Sequence, residues 1–196
     1  MRTFSELKEA VLQCRLCPLA ETRGKVVFGA GDEDADVMLV GEAPGRHEDQ
    51  QGVPFVGQAG RLLDQTLDQV GLKREEIFIA NVLKCRPPEN RDPRKEEIDA
   101  CRPYLDEQIE LIGPRVLVPM GNFALNLFST KRASISKMHG KSLAYRGMAV
   151  IPIYHPAAVL YNRSLEPVLV DDFRKIVDYL ASNAEVAPDP EQMSLF

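Results

Sequence analysis

The sequence predicts a three-layer α/β/α domain on a four-stranded parallel sheet, and three observations carry that reading. Four short apolar runs, VMLV (37–40), IFIAN (77–81), VLVPMG (116–121) and MAVIPIY (148–154), show no apolar–polar alternation, the mark of strands covered on both faces. Helical periodicity fills the intervals between them, which implies right-handed crossovers. A chain of 196 residues, 44% hydrophobic and 27% charged, is long enough for one well-buried core.

Each element has its own signal. Thr3-x-x-Glu6 reads as a capping box that opens a short amphipathic helix leading to Cys14. Acids interrupt this stretch where a secretory signal would be apolar, and no apolar run approaches the roughly 18 residues of a membrane span. A cytoplasmic location is therefore expected. Leu62, Leu63, Thr66, Leu67 and Val70 recur at helical spacing and stop at Gly71, a residue suited to a left-handed cap. Ile98, Tyr104, Leu105, Ile109 and Ile112 mark a second helix, with a kink or restart expected at Pro103. Val170, Phe173, Ile176, Val177 and Leu180 mark the last, so residues 1–180 are expected to form the folded domain. Pro119 and Pro152 have no amide to donate to a ladder, so their strands should end early or lie at an edge.

Charge is unevenly spread. Between Leu111 and Leu165 there is no Asp or Glu, while Arg115, Lys131, Arg132, Lys137, Lys141, Arg146 and Arg163 supply seven positive charges. The net charge is −5, so the remainder of the chain carries −12. Such one-sidedness points to an anion-binding face, with an ordinary solvated surface as the alternative.

Open α/β sheets bind ligands beyond the carboxyl ends of their strands. There this sequence gathers GEAPGRHEDQQGVPFVG after the first strand, Asn81 after the second, Met120-Gly121 after the third and HPAAVLYNRS after the fourth. Gly41, Pro44 and Gly45 suit a rigid turn that lets backbone approach a ligand. Phe55 suits stacking on a flat ring or plugging the core, and Asn81 offers a donor and an acceptor to a base edge or closes a turn. His155 suits donation to a developing anion or capping of the strand end. Together these residues describe a pocket for a flat heterocycle.

Four cysteines stand apart from this framework: Cys14 and Cys17 as C-x₂-C, Cys85 and Cys101 fifteen residues apart. Disulfides are rare in the cytosol, so four thiols suggest a metal, and all-thiolate ligation suits zinc or an iron–sulfur cluster. The wide second spacing is unlike a zinc knuckle, and Cys17-Pro18 echoes ferredoxin-like runs.

GEAPG followed by GVPFVGQAG, NVLKCRPP and HPAAVL, together with this cysteine spacing, closely resembles the family 4 uracil-DNA glycosylases from Cys14 to about Leu180. The resemblance implies the uracil-DNA glycosylase fold with a four-stranded parallel sheet and a 4Fe–4S cluster. It also implies hydrolytic removal of uracil from single- and double-stranded DNA, the first step of base-excision repair. Glu42 would orient water or stabilise the sugar cation, and the Ala43 backbone would contact the base. Phe55 would stack on the ring, Asn81 would bond its N3–H and O4 edge, and His155 would bond O2. Glu48 would crowd the C5 position and reject thymine's methyl group. Cys14, Cys17, Cys85 and Cys101 would ligate the cluster, which would shape a DNA-facing loop bearing Arg86, Arg91 and Arg94. Val159 or Leu160 would fill the space left by the flipped base. Crosslinking relatives carry a reactive histidine after the second strand, whereas KCRPPENRDPRK has none. An iron–sulfur electron carrier, the other class considered, would not need the pocket.

Residues 181–196 read as a flexible acidic tail, because ASNAEVAPDP is small, acidic and proline-containing. The tail ends in QMSLF, which resembles the Q-x-x-L-F peptides that bind the bacterial sliding clamp. Gln192 would take a polar site there, and Leu195 and Phe196 an apolar pocket. A monomer is expected otherwise.

Overall fold

The amino-terminal capping box forms as the sequence predicts. Thr3 N–H donates to Glu6 Oε2 at 2.7 Å, Glu6 N–H donates to Thr3 Oγ1 at 3.2 Å, and helix α1 (Phe4–Leu12) follows. The computed structural model describes residues 2–129 and 131–182; the tail residues Gln192, Leu195 and Phe196 lie outside them. After the Cys14–Cys17 pair comes a turn of helix, α2 (Leu19–Thr22), then strands β1 (Ala30–Gly31) and β2 (Val37–Gly41). Helices α3 (Arg46–Gln51) and α4 (Gln58–Val70) cross to β3 (Phe78–Asn81). Helix α5 (Lys95–Ile112) leads to β4 (Val116–Pro119), and α6 (Gly121–Leu127) and α7 (Ile135–Met138) lead to β5 (Leu143–Tyr145) and β6 (Met148–Val150). Helices α8 (Pro156–Tyr161) and α9 (Glu166–Ser182) close the described chain.

The sheet is wider than the expected four parallel strands. Its order is β1-β3-β2-β4-β6-β5; β3, β2, β4 and β6 run parallel, and β1 and β5 pair antiparallel at the two edges. The four apolar runs are the parallel centre. The edge strands, two and three residues long, are too short to leave an apolar run of their own. The β5–β6 hairpin turns on Arg146 and Gly147, both at positive φ (47° and 81°), the backbone of a type I′ turn.

Helices cover both faces. On one, Leu7 and Val11 of α1 and Leu105 and Ile109 of α5 pack with Met38, Val40 and Phe78. On the other, Leu63 and Leu67 of α4, Val159 of α8 and Phe173 and Ile176 of α9 pack with Leu39, Ile79 and Val118. Every residue of β2, β3 and β4 is buried, which explains the unbroken apolar runs.

The prolines behave in two ways. Strand β4 ends at Pro119 and β6 stops before Pro152, as expected of residues without a ladder donor. Pro103 does not restart its helix, since α5 runs through it from Lys95 to Ile112. Pro103 and Asp99, whose carbonyl loses its helical partner, are both exposed, so the orphaned group lies on the solvent side of the helix. Gly71 takes φ 78° and caps α4 as its position predicts.

Candidate active site

The carboxyl ends of β2 and β3 meet at a pair of register partners, Gly41 and Asn81. Glycine is required there: a Cβ on Gly41 would lie 2.3 Å from Asn81 Oδ1 and 3.0 Å from Phe55 Cε2. Beyond this pair opens a pocket of about 330 Å³, lined by Glu42, Ala43, Glu48, Phe55, Asn81 and His155. These are the six pocket residues expected from the sequence. Pro87, Asn90 and Arg91, from the loop between Cys85 and Cys101, add a wall. Their part in the pocket was not legible from residue type.

Phe55 sits at φ 53°, a left-handed conformation that costs about 1–3 kcal/mol for a residue with a side chain. Two contacts hold it there. Glu48 Oε1 accepts from the N–H groups of Val56 (2.9 Å) and Gly57 (3.0 Å), and Gly60 leaves the Phe55 carbonyl room that a Cβ at 1.8 Å would abolish. The Phe55 ring is thereby held 5.5 Å from the ring of His155, the two planes tilted by 35°.

His155 caps α8, and its Nδ1 accepts from the Ala157 N–H at 3.1 Å. In a neutral imidazole that bond places the proton on Nε2. Burial favours the neutral form and pulls the pKa to about 4, against the opposing charge of Glu48. The pocket therefore holds a neutral N–H donor rather than an imidazolium. Asn81 is 2% exposed, and its Oδ1 is buried without a hydrogen-bond donor among the described residues. An unpaired buried acceptor is costly unless a ligand satisfies it. Burial, and secondarily the charge of Asp92, raises Glu42 to about 7, so its carboxyl group titrates near neutrality.

On the other side of β3 the four cysteines, all free, line one small cavity with Val11, Leu16, Ala20, Ala100 and Tyr104. Two cations border it: Arg23, whose Nη1 lies 3.3 Å from Cys85 Sγ, and Lys84. Burial raises the Cys85 thiol and pushes Cys101 up to about 11, so ionised sulfur there needs a positive partner. Among the described residues no three His, Cys, Asp or Glu side chains close on a single ion. Four thiols around one cavity are a donor set suited to a thiophilic metal centre.

Two sequence expectations need correction. Of the two alternatives, Val159 is fully buried in the core and cannot enter a duplex, whereas Leu160 is half-buried; the large side chain that α8 presents to solvent is Tyr161, 95% exposed. Helical geometry is the reason, since it turns Val159 inward against the sheet. The seven-cation segment is likewise not a single face. Arg115 lies at the opposite end of β4, where it pairs with Asp36 at 3.5 Å. Lys84 contacts the Asn81 carbonyl, a placement that residue type hides because a lysine ordinarily marks a surface.

An aromatic ring, an unpaired amide oxygen, a neutral imidazole and a carboxyl group thus line one pocket at the carboxyl ends of the strands. The family model for the uracil DNA glycosylase superfamily matches residues 28–181, and the chain belongs to that superfamily and to its type-4 family. It is 46% identical to the type-4 uracil-DNA glycosylase of Archaeoglobus fulgidus over 184 residues, covering 90% of this chain and 92% of that one. Identity to the enzyme of Sulfurisphaera tokodaii is 45%, over 90% and 84% of the two chains, and to that of Thermotoga maritima 43%, over 89% and 93%. Among the described residues no helix is long and apolar enough to cross a membrane.

Proposed function

We propose that this pocket hydrolyses the N-glycosidic bond of deoxyuridine in single- and double-stranded DNA, with the following division of labour. Phe55 stacks on the flipped base. Asn81 Oδ1 accepts the N3–H of uracil, and the amide N–H donates to O4; cytosine, with no hydrogen on N3, leaves Oδ1 unpaired. The C1′–N1 bond breaks with its electron pair passing to uracil, and His155 Nε2–H donates to O2 as that oxygen gains charge. The ionised Glu42 carboxylate stabilises the sugar cation and orients the water whose oxygen bonds to C1′ as one of its protons passes to that carboxylate. Ala43 contributes backbone contact, and Glu48 guards the C5 position. The observation that carries this reading is the buried, unpaired Asn81 Oδ1 in the same pocket as a neutral imidazole donor.

The test is a uracil-containing oligonucleotide: free uracil should appear, with strand breaks only after alkali. Nicking without alkali would refute a monofunctional enzyme, and no free uracil would refute the assignment.

The four cysteines fit a 4Fe–4S cluster, which when bound would cross-link α2's approach, the 85–101 loop and α5 beside the pocket. Protein purified without air should then be brown with about four irons per chain, and Cys85→Ala should lose both colour and much of its solubility. Stoichiometric zinc would overturn the cluster. For duplex substrates the exposed Tyr161 is the side chain suited to enter the vacated stack. The enzyme acts as a cytoplasmic monomer, brought to newly copied DNA by the tail residues Gln192, Leu195 and Phe196 on the sliding clamp. Removal of residues 192–196 should abolish clamp binding and leave excision unchanged on a free oligonucleotide; retained clamp binding would end the idea.

A further inference from the structure

The five residues from Asn81 to Cys85 join the base pocket to the thiol cavity, and this bridge is held at every step. Val82 N–H donates to the Gly41 carbonyl at 2.9 Å and Leu83 N–H to the Glu42 carbonyl at 3.0 Å. The Lys84 carbonyl accepts from Val27 N–H at 2.8 Å. Between them lies a lysine only 1% exposed. Its Nζ turns back to donate to the Asn81 carbonyl at 2.9 Å and reaches Gln108 Oε1 at 2.5 Å. Gln108 is itself fixed, since its Nε2 donates to the Phe28 carbonyl at 3.0 Å. Lys84 also lines the cavity with all four thiols. An ammonium has three donors, and the named acceptors use two of them.

Burying a lysine is costly, and an apolar side chain of similar length would fill the slot without that cost. Two neutral acceptors are weak compensation for a full positive charge. A sulfur-ligated anion in the adjoining cavity is strong compensation. We infer that Lys84 is a positioning residue that couples the thiol cavity to base reading: its ammonium braces the Asn81 peptide on one side and balances the negative charge of the cluster on the other. The inference rests on the cluster reading above. Occupation of the cavity holds the ammonium, the ammonium holds the Asn81 carbonyl, and the Asn81 side chain keeps its position in the pocket. Damage to the cluster would then weaken base reading before it unfolds the domain.

The test compares Lys84→Met with Gln108→Leu, which disturbs the same buried network but leaves the Lys84–Asn81 contact in place. In Lys84→Met protein that retains iron, the inhibition constant for free uracil should rise about tenfold, the size of one charge-assisted hydrogen bond. The cluster's reduction potential should fall, because a cation beside a cluster favours its more negative state. Gln108→Leu should lower the melting temperature yet keep the uracil constant within about twofold. An unchanged uracil constant in iron-replete Lys84→Met overturns the brace, and an unchanged potential overturns the charge pairing. Should Lys84→Met fail to fold, Lys84→Leu, which likewise lacks a donor, is measured in its place and judged by the same two outcomes. Wild-type protein without iron would be a different failure: it refutes the cluster and hence the coupling, while the Asn81 brace is still read from the uracil constant.

Discussion

The base pocket and the thiol cavity are only four residues apart along the chain, from Asn81 to Cys85, yet they treat polar groups in opposite ways. In the pocket, partners are withheld. Asn81 Oδ1 has no donor among the described residues, Glu42 is raised to about 7, and His155 is held neutral with Nδ1 occupied. In the thiol cavity, partners are supplied: Arg23 beside Cys85, Lys84 beside Cys101, and Lys84 in turn bonded to Gln108 and Asn81. Withheld partners mark where a substrate completes the structure. Supplied partners mark a scaffold that must hold its charge permanently. The same contrast separates Glu42 from Glu97, which is fully buried but bound in bidentate fashion by Arg91 and held below the usual carboxylate range by that contact.

The contrast breaks most visibly if the withheld groups prove idle. His155→Ala and Asn81→Ala should each slow single-turnover excision by about a hundredfold or more while DNA affinity changes little. Loss of affinity at an unchanged rate would show that these groups bind the ground state only. The next effect concerns pH. A carboxylate needed in its ionised form and titrating at about 7 gives a rate that falls about tenfold per pH unit below that value and levels above it. Because the charge of Asp92 helps to raise Glu42, Asp92→Asn should move the midpoint to lower pH and quicken the reaction in acid. His155, at about 4, should add no second acidic limb until the pH nears that value. A midpoint that stays put in Asp92→Asn would remove Asp92 from the account. The smallest effect is that of Tyr161→Ala, which should slow excision about threefold on duplex DNA and hardly at all on single strands. Equal loss on both would remove Tyr161 from the duplex.

How far the sequence reached divides along the same line. The four central strands announced themselves because burial on both faces leaves nothing to alternate, and Gly71 because a left-handed cap favours one residue type. Glu42, Phe55, Asn81 and His155 were legible because each follows a strand at the edge where such sheets bind ligands. The edge strands were not legible, since two or three residues leave no periodicity. Nor was the direction of α8, where a two-residue step decides whether Val159 or Tyr161 meets solvent. Lys84 was the hardest case. Its side chain is polar by type and core by position, and only the acceptors around it reveal that. Asn90 and Arg91 reach the pocket because the loop folds back over it, a consequence of the Arg91–Glu97 pair that no spacing rule shows.

The central claim is that a buried, unpaired amide oxygen chooses the base. Two oligonucleotides identical except for one uracil or one cytosine, incubated with excess enzyme and then treated with alkali, test it most directly. The account predicts cleavage at uracil alone, because only uracil brings an N3–H to Asn81 Oδ1, and predicts that Asn81→Ala loses most of that cleavage. Cleavage at cytosine as well, or undiminished cleavage at uracil by Asn81→Ala, would contradict it.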